Sequence, residues 1–303
     1  SIIASGDLGG GLIPTEYATQ IIQDAPKSSV SLTRMRQIRM STRTRTQPVL
    51  DSKPIAYWVG GDTGLKQTTK QAWSGLSITA EEMAAIVPIP EAVIADSGIP
   101  LWNEVQPRLA AALGYKLDQA TLFGVDKPSS FPDGIIPQAI AAHNTLTQGK
   151  DLAKDVATMG QKLAEQGFAM NGFASKPGLN WELIGLRNAN GSPIYVPSLA
   201  SGAPSTLYGF GLNEVDNGAW DTTKAVLLGA DWSNFVVGIR QDITYKVFDQ
   251  GVISDTAGNV VYNLMQQDAQ AMRVVMRVGF AVANPLTRIA AKGSQYPAGF
   301  LTP

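Results

Sequence analysis

From Met272 to Val282 the chain places Met272, Val274, Met276, Val278, Phe280 and Val282 at every second position, with Arg273 and Arg277 on the alternate face. A helix repeats near 3.6 residues and cannot keep such a row on one side, so this stretch is a strand with one buried face. A strand needs partners and a covering layer, which demands a chain with a sizeable core. The chain meets that demand, with 303 residues and 44% hydrophobic content.

The best helical pattern runs from Leu101 to Phe123, with Pro100 before it and a stripe at Trp102, Val105, Leu109, Leu113, Leu117 and Ala120. At 1.5 Å per residue this is a rod of roughly 35 Å. Pro107 inside it should cost a backbone hydrogen bond and bend the first turns, and Gly124 supplies the stop. A second helix is expected over Asp151 to Gln166, capped by Asp151 and stopped by Gly167, and a shorter one over Trp181 to Arg187. Strands are expected at Lys224 to Gly229, Phe235 to Ile239 and Ile243 to Phe248, and extended structure through Ser31 to Leu50. Helices and strands are interspersed without a regular strand-helix repeat, so the class is α+β and not a doubly wound sheet.

Three segments carry apolar groups with no evident partner inside the chain. Residues 1–31 hold Gly9-Gly10-Gly11, Pro14 and Pro26 around one short helical turn near Tyr17, with Ile21 and Ile22, and form an arm that needs another surface. Between Asp51 and Glu82, strand-like pieces at Ile55 to Val59 and Trp73 to Ile78 flank a polar, glycine-containing stretch, the pattern of a long hairpin. A lone hairpin is marginal in water, yet this one carries Tyr57, Trp58 and Trp73. The tail adds Tyr296 and Phe300. Such extensions favour a protein that buries surface on its neighbours.

Chemistry is sparse. With no cysteine and one histidine, His143 in an expected surface loop, zinc sites and histidine-based triads are excluded, and the chain fits a reducing cytosol. Gly209-Phe210-Gly211 lacks the third glycine of a dinucleotide fingerprint and reads as a strand kink. Glu81 and Glu82 are adjacent, face opposite ways on a strand, and read as solvated or inter-subunit charges rather than a glycosidase pair. No cofactor is expected. The apolar run from Ile86 to Ile94 is broken by Pro88, Pro90 and Glu91, far short of a membrane span, and no export signal is visible. The start at Ser1 is compatible with removal of a methionine or with proteolytic trimming.

Twenty-four basic and 25 acidic residues leave a net charge of −1, so any attraction for nucleic acid must be local. The one basic cluster is Arg34, Arg36, Arg39, Arg43 and Arg45. Without interleaved aromatic residues to stack on bases, its expected role is pairing with carboxylates across a subunit boundary, or solvation, before contact with phosphate.

Six pieces occur in order: Gly10-Gly11-Leu12-Ile13-Pro14, Ala56-Tyr57-Trp58-Val59-Gly60, Lys66-Gln67-Thr68, Ala84 to Pro90, Asp118 to Gly124 and Arg277-Val278-Gly279-Phe280. In this order they resemble major capsid proteins of tailed bacteriophages, the Hong Kong 97-like family, over nearly the whole chain. The resemblance implies an N-terminal arm at 1–31 and an extended loop at 51–82 lying on an adjacent subunit. It implies a peripheral domain from 32–50 and 83–133 with the spine helix 101–123, an axial domain at 134–240, and peripheral strands and tail at 241–303. It further implies pentamers and hexamers of an icosahedral shell around double-stranded DNA held by weak nonspecific contact, with portal and scaffolding or decoration partners, in a virion made in the host bacterial cytoplasm.

Some relatives of this kind crosslink a loop lysine to a neighbour's asparagine with help from a glutamate. Lys66 and Lys70 lie in the corresponding loop, but no glutamate follows Glu214 and the final strand region offers Gln266, Gln267 and Gln270 instead, so no such crosslink is expected. Some relatives also begin with a scaffolding segment removed by a protease; whether one was cut away, is a separate protein, or is not used stays open. Two rival readings remain: an encapsulin-type nanocompartment shell, and a carboxylate hydrolase acting through Asp216, Asp221 or Asp231.

Overall fold

The alternating run becomes part of a 14-residue strand, β13 (Ala269–Val282), in the computed structural model, which describes residues 29–54, 56, 68–69, 71–98, 100–188, 190–195 and 205–303. β13 pairs antiparallel on one side with β10 (Phe235–Phe248) and on the other with β4 (Glu81–Pro90). β1 (Arg36–Arg39) lies parallel to β10 and completes a four-stranded sheet of order β1-β10-β13-β4. Met272, Val274, Met276, Val278 and Phe280 are all buried, while Arg273 and Arg277 stay exposed, as period two requires. The expected strands Phe235 to Ile239 and Ile243 to Phe248 are one strand. Register shifts between Ile239 and Thr244 bend it without ending it.

Helix α3 (Leu101–Asp118) covers the buried face, setting Leu109, Leu113 and Leu117 into the same apolar cluster as β13. Full burial of each such side chain contributes about 1.5–3 kcal/mol. Pro107 is held within α3 and does not terminate it. The helix runs on into a π-helical turn at Gln119–Phe123, and Gly124 ends it in the left-handed conformation at φ 69°, where a Cβ would be strained.

A six-stranded sheet forms the second layer, in the order β5 (Thr145–Thr147), β14 (Ala298–Thr302), β9 (Leu227–Ala230), β6 (Gly172–Ser175), β8 (Phe210–Glu214), β7 (Thr206–Leu207). It is flanked by α4 (Ile135–Ala141), α5 (Leu152–Glu165) and α6 (Leu179–Gly185). In α5, Asp151 accepts from Lys154 N at 3.2 Å, and Leu152, Val156, Met159 and Leu163 form the buried stripe. α6 starts two residues ahead of the expected Trp181, after Gly178 at φ 83°.

Four expectations are corrected. The tail is no extension: Tyr296 and Phe300 are 4% and 1% exposed, because β14 is inserted between β5 and β9. The C-terminal strand therefore belongs with the six-stranded sheet and not with residues 241–282, and β10 joins the four-stranded sheet already at Phe235. Residues 30–34 are a short helix, α1 (Val30–Arg34), capped by the Ser29 side chain, and not strand. Gly209-Phe210-Gly211 is no kink within a strand: Tyr208 (φ 51°) and Gly209 (φ 82°) make the two-residue turn between β7 and β8.

Two hairpins stand on these layers. β2 (Thr44–Ser52) and β3 (Ala72–Thr79) pair from Thr44 opposite Thr79 to Ser52 opposite Ala72, so the partner of the expected strand Trp73 to Ile78 is Thr44–Ser52; the expected Ile55 to Val59, Ala56 aside, lies outside the described residues. β11 (Val252–Ser254) and β12 (Val260–Asn263) form a smaller one between β10 and β13. A short α2 (Glu91–Asp96) follows β4.

Candidate assembly surface

Four of the five clustered arginines find partners inside the chain. Arg34 donates from Nε at 2.7 Å, and also from Nη2, to the side-chain oxygen of Asn213 on β8, and burial lowers the pKa of its guanidinium. Arg39 pairs with Asp242, Arg43 with Glu81 at 3.2 Å, and Arg45 donates to the Arg39 carbonyl at 2.8 Å; Arg36 is exposed. Glu81 and Glu82 do face different ways, yet neither is simply solvated: Glu82 takes Arg277 at 2.7 Å. Arg43, Glu81, Glu82, Arg240 and Arg277 line a cleft of about 380 Å³. Exposed pairs of this kind contribute about 0–1 kcal/mol each, so they order the surface more than they stabilise it.

Two of the three carboxylates of the hydrolase reading, Asp221 and Asp231, have separate, structural tasks. Asp221 closes its own turn by accepting from Thr223 N and Oγ1, at 3.0 and 2.5 Å, and the Thr223 hydroxyl first among several contacts holds its carboxyl below the usual range. Asp231 caps the turn Trp232–Asn234 and accepts from Asn171 at 3.1 Å. Asp216 lies in the loop after β8. A general acid needs the opposite shift to that of Asp221. His143 sits in an exposed turn at φ 58° with its carbonyl accepting from Lys162. Among the described residues no cluster of three or more His, Cys, Asp or Glu could hold a metal, and no helix is long and apolar enough to cross a membrane.

Apolar surface is what the molecule leaves open. On the first hairpin Trp73 is 57% exposed; its companions Tyr57, Trp58, Lys66 and Lys70, like Tyr17 and Ile21 of the arm, lie outside the described residues. The second hairpin is only weakly marked in the sequence. Its Val252, Val260 and Val261 are more than half exposed, and Met265 at its foot is 76% exposed. The foot itself is firm, because Leu264, Ala269 and Ala271 are buried against Phe248 and Ile253, and the Phe248 ring lies 5.1 Å from Lys246 Nζ and 5.0 Å from the Arg273 guanidinium. The signal was present in two β-branched runs around Asp255-Thr256-Ala257-Gly258-Asn259. A third apolar site is Trp181 on α6, 74% exposed.

Two sheets joined around a long helix, with firm-footed hairpins that present apolar side chains to solvent, define a subunit built to be covered by other subunits. The match to the model of the phage capsid family runs over residues 9–289, and the chain belongs to that family. A solved chain from Microbacterium phage Oxtober96 superposes with a TM-score of 0.85 at 36% identity, covering 97% of each chain. One from Mycobacterium phage Cain gives 0.86 at 31% identity, over 98% of this chain and 99% of that one. The major capsid protein of Staphylococcus phage 80alpha is 23% identical over 277 residues, 90% of this chain and 82% of that protein. The fold is Hong Kong 97-like, and the function is that of a major capsid protein of a tailed phage, a structural component of the virion that assembles with copies of itself. These likenesses favour the phage shell over the nanocompartment and the hydrolase.

Proposed function

We propose that the subunit forms pentamers and hexamers of an icosahedral head that encloses double-stranded DNA. The supporting observation is the apolar surface left open on the two hairpins, Trp73 on one and Val252, Val260 and Val261 on the other. In this reading the β2–β3 hairpin lies on an adjacent subunit, the six-stranded sheet faces the capsomer axis, and the four-stranded sheet with α3 forms the periphery. Sedimentation of the purified chain tests it: a fast, discrete species must appear as protein concentration rises. A single slow species of 32.2 kDa at every concentration contradicts it.

Contact with packaged DNA is weak and nonspecific in this account, since the net charge is −1 and three of the five clustered arginines are tied to side chains of their own chain. Portal and scaffolding or decoration proteins complete the partners, and synthesis takes place in the host cytoplasm. No autocatalytic crosslink joins the subunits. Gln266 and Gln267 lie in the turn before β13 and only Gln270 on the strand, and no glutamate follows Glu214 to assist a lysine. Boiled shells should accordingly run as monomer on a denaturing gel, and a ladder of multiples would contradict this.

A further inference from the structure

Asp118, the last residue of α3, is completely buried and is met by four donors. Its Oδ1 accepts from the Ser29 hydroxyl at 2.7 Å and Ser31 N at 2.9 Å; its Oδ2 accepts from Val30 N at 3.0 Å and Asn217 Nδ2 at 2.6 Å. All four donors are neutral. The carboxylate thus holds the first turn of α1, the end of α3 and the loop after β8 at one point. Close by, the Ser31 hydroxyl meets that of Thr121 at 2.7 Å, and Gly114 lets the chain at Ser29 approach α3 closely, since a Cβ there would lie 3.2 Å from Ser29 Cβ. The far end of α1 is fixed as well. Arg34 reaches Asn213 on β8, with its guanidinium in the space that any side chain at Gly211 would fill.

We infer that Asp118 is a positioning residue for assembly: its carboxylate fixes the place and direction of the backbone at Ser29–Ser31 against α3 and the loop after β8, and closure of the shell depends on that anchor. The inference rests on the shell reading above. Its chemistry is specific. Each carboxylate oxygen takes two donors, so an isosteric amide, whichever way it is turned, points an N–H₂ at two groups that also donate. Size is preserved, while one acceptor oxygen and the negative charge are lost.

The test compares Asp118→Asn with the wild-type chain and with Asn144→Ala, a buried-amide variant outside this network, by hydrogen exchange and electron microscopy. In Asp118→Asn, the amides of Val30 and Ser31 should exchange at least about 10-fold faster, a one-decade shift in the local opening equilibrium. Shells should be open or irregular, while β13 amides remain protected and Asn144→Ala still closes its shells. Should Asp118→Asn fail to fold, Ser29→Ala removes a single donor and must raise exchange at the same two amides with the rest of the chain unchanged. Closed shells of wild-type size from Asp118→Asn, or unchanged protection at Val30 and Ser31, overturn the inference. A wild-type chain that forms no shells overturns the shell reading instead, and the exchange result then decides the anchor.

Discussion

Asn144 holds a chain terminus in place through a single side chain. Its Nδ2 donates to the carbonyls of Tyr296 and Ala298, at 3.1 and 3.0 Å, and to Gln166 Oε1, while Gln166 donates back to its Oδ1. Asn144→Ala would strand these buried groups, and one unsatisfied buried acceptor costs about 1–3 kcal/mol. The expected result is a loss of about 2–3 kcal/mol in denaturant unfolding, with β14 amides exchanging first; a change under about 0.5 kcal/mol would refute it. Asp221 makes a pH prediction. Its native carboxyl titrates below the ordinary range, so its contribution to stability is present above the unfolded-state pKa and is lost as pH falls through the native value. In an NMR titration Thr223→Ala should raise its midpoint toward the ordinary value, since the hydroxyl is the largest cause of the shift. No movement would mean that Lys224 and the Thr223 amide hold the charge without the hydroxyl.

At the scale of elements, the two hairpins separate stability from assembly. Trp73 and Val260 are 57% and 62% exposed, so Trp73→Ser and Val260→Ser should change subunit stability by no more than about 0.5 kcal/mol. Both should nonetheless slow or abolish formation of the fast-sedimenting species, because a partner would have buried those side chains. Variants that assemble at wild-type rate would remove the hairpins from the interface. How well an element could be read from sequence followed how local its causes are. β13 announces itself by period two, and α3 and α5 by their stripes and end signals, all within one segment. α1 did not, because its helical turn depends on Asp118, 88 residues away from Val30, overriding the extended preference of its neighbours. The β11–β12 hairpin was passed over because its strands have 3 and 4 residues and bury almost nothing of their own.

For the whole molecule, long-range pairing explains both what was legible and what was not. Tyr296 and Phe300 looked like free apolar groups because their neighbours come from elsewhere: β14 lies between β5, more than 150 residues earlier, and β9, about 70 earlier. The arginine cluster likewise reaches Asn213 and Asp242 across some 180–200 residues. No local pattern carries such partners. The ordered motifs did carry the family, and among the described residues the apolar side chains left exposed include Trp73, Val252, Val260 and Val261 on the hairpins and Ile140, Trp181, Tyr208 and Ile289 elsewhere. Other copies of the chain are expected to cover the exposed groups of the hairpins. A cryo-electron microscopy reconstruction of the particles formed by the purified protein tests it most directly. The expected result is a closed shell in which Trp73, Val260 and Met265 are buried at contacts between subunits. A closed shell that leaves all three facing solvent, or a field of separate subunits at every concentration tried, would contradict it.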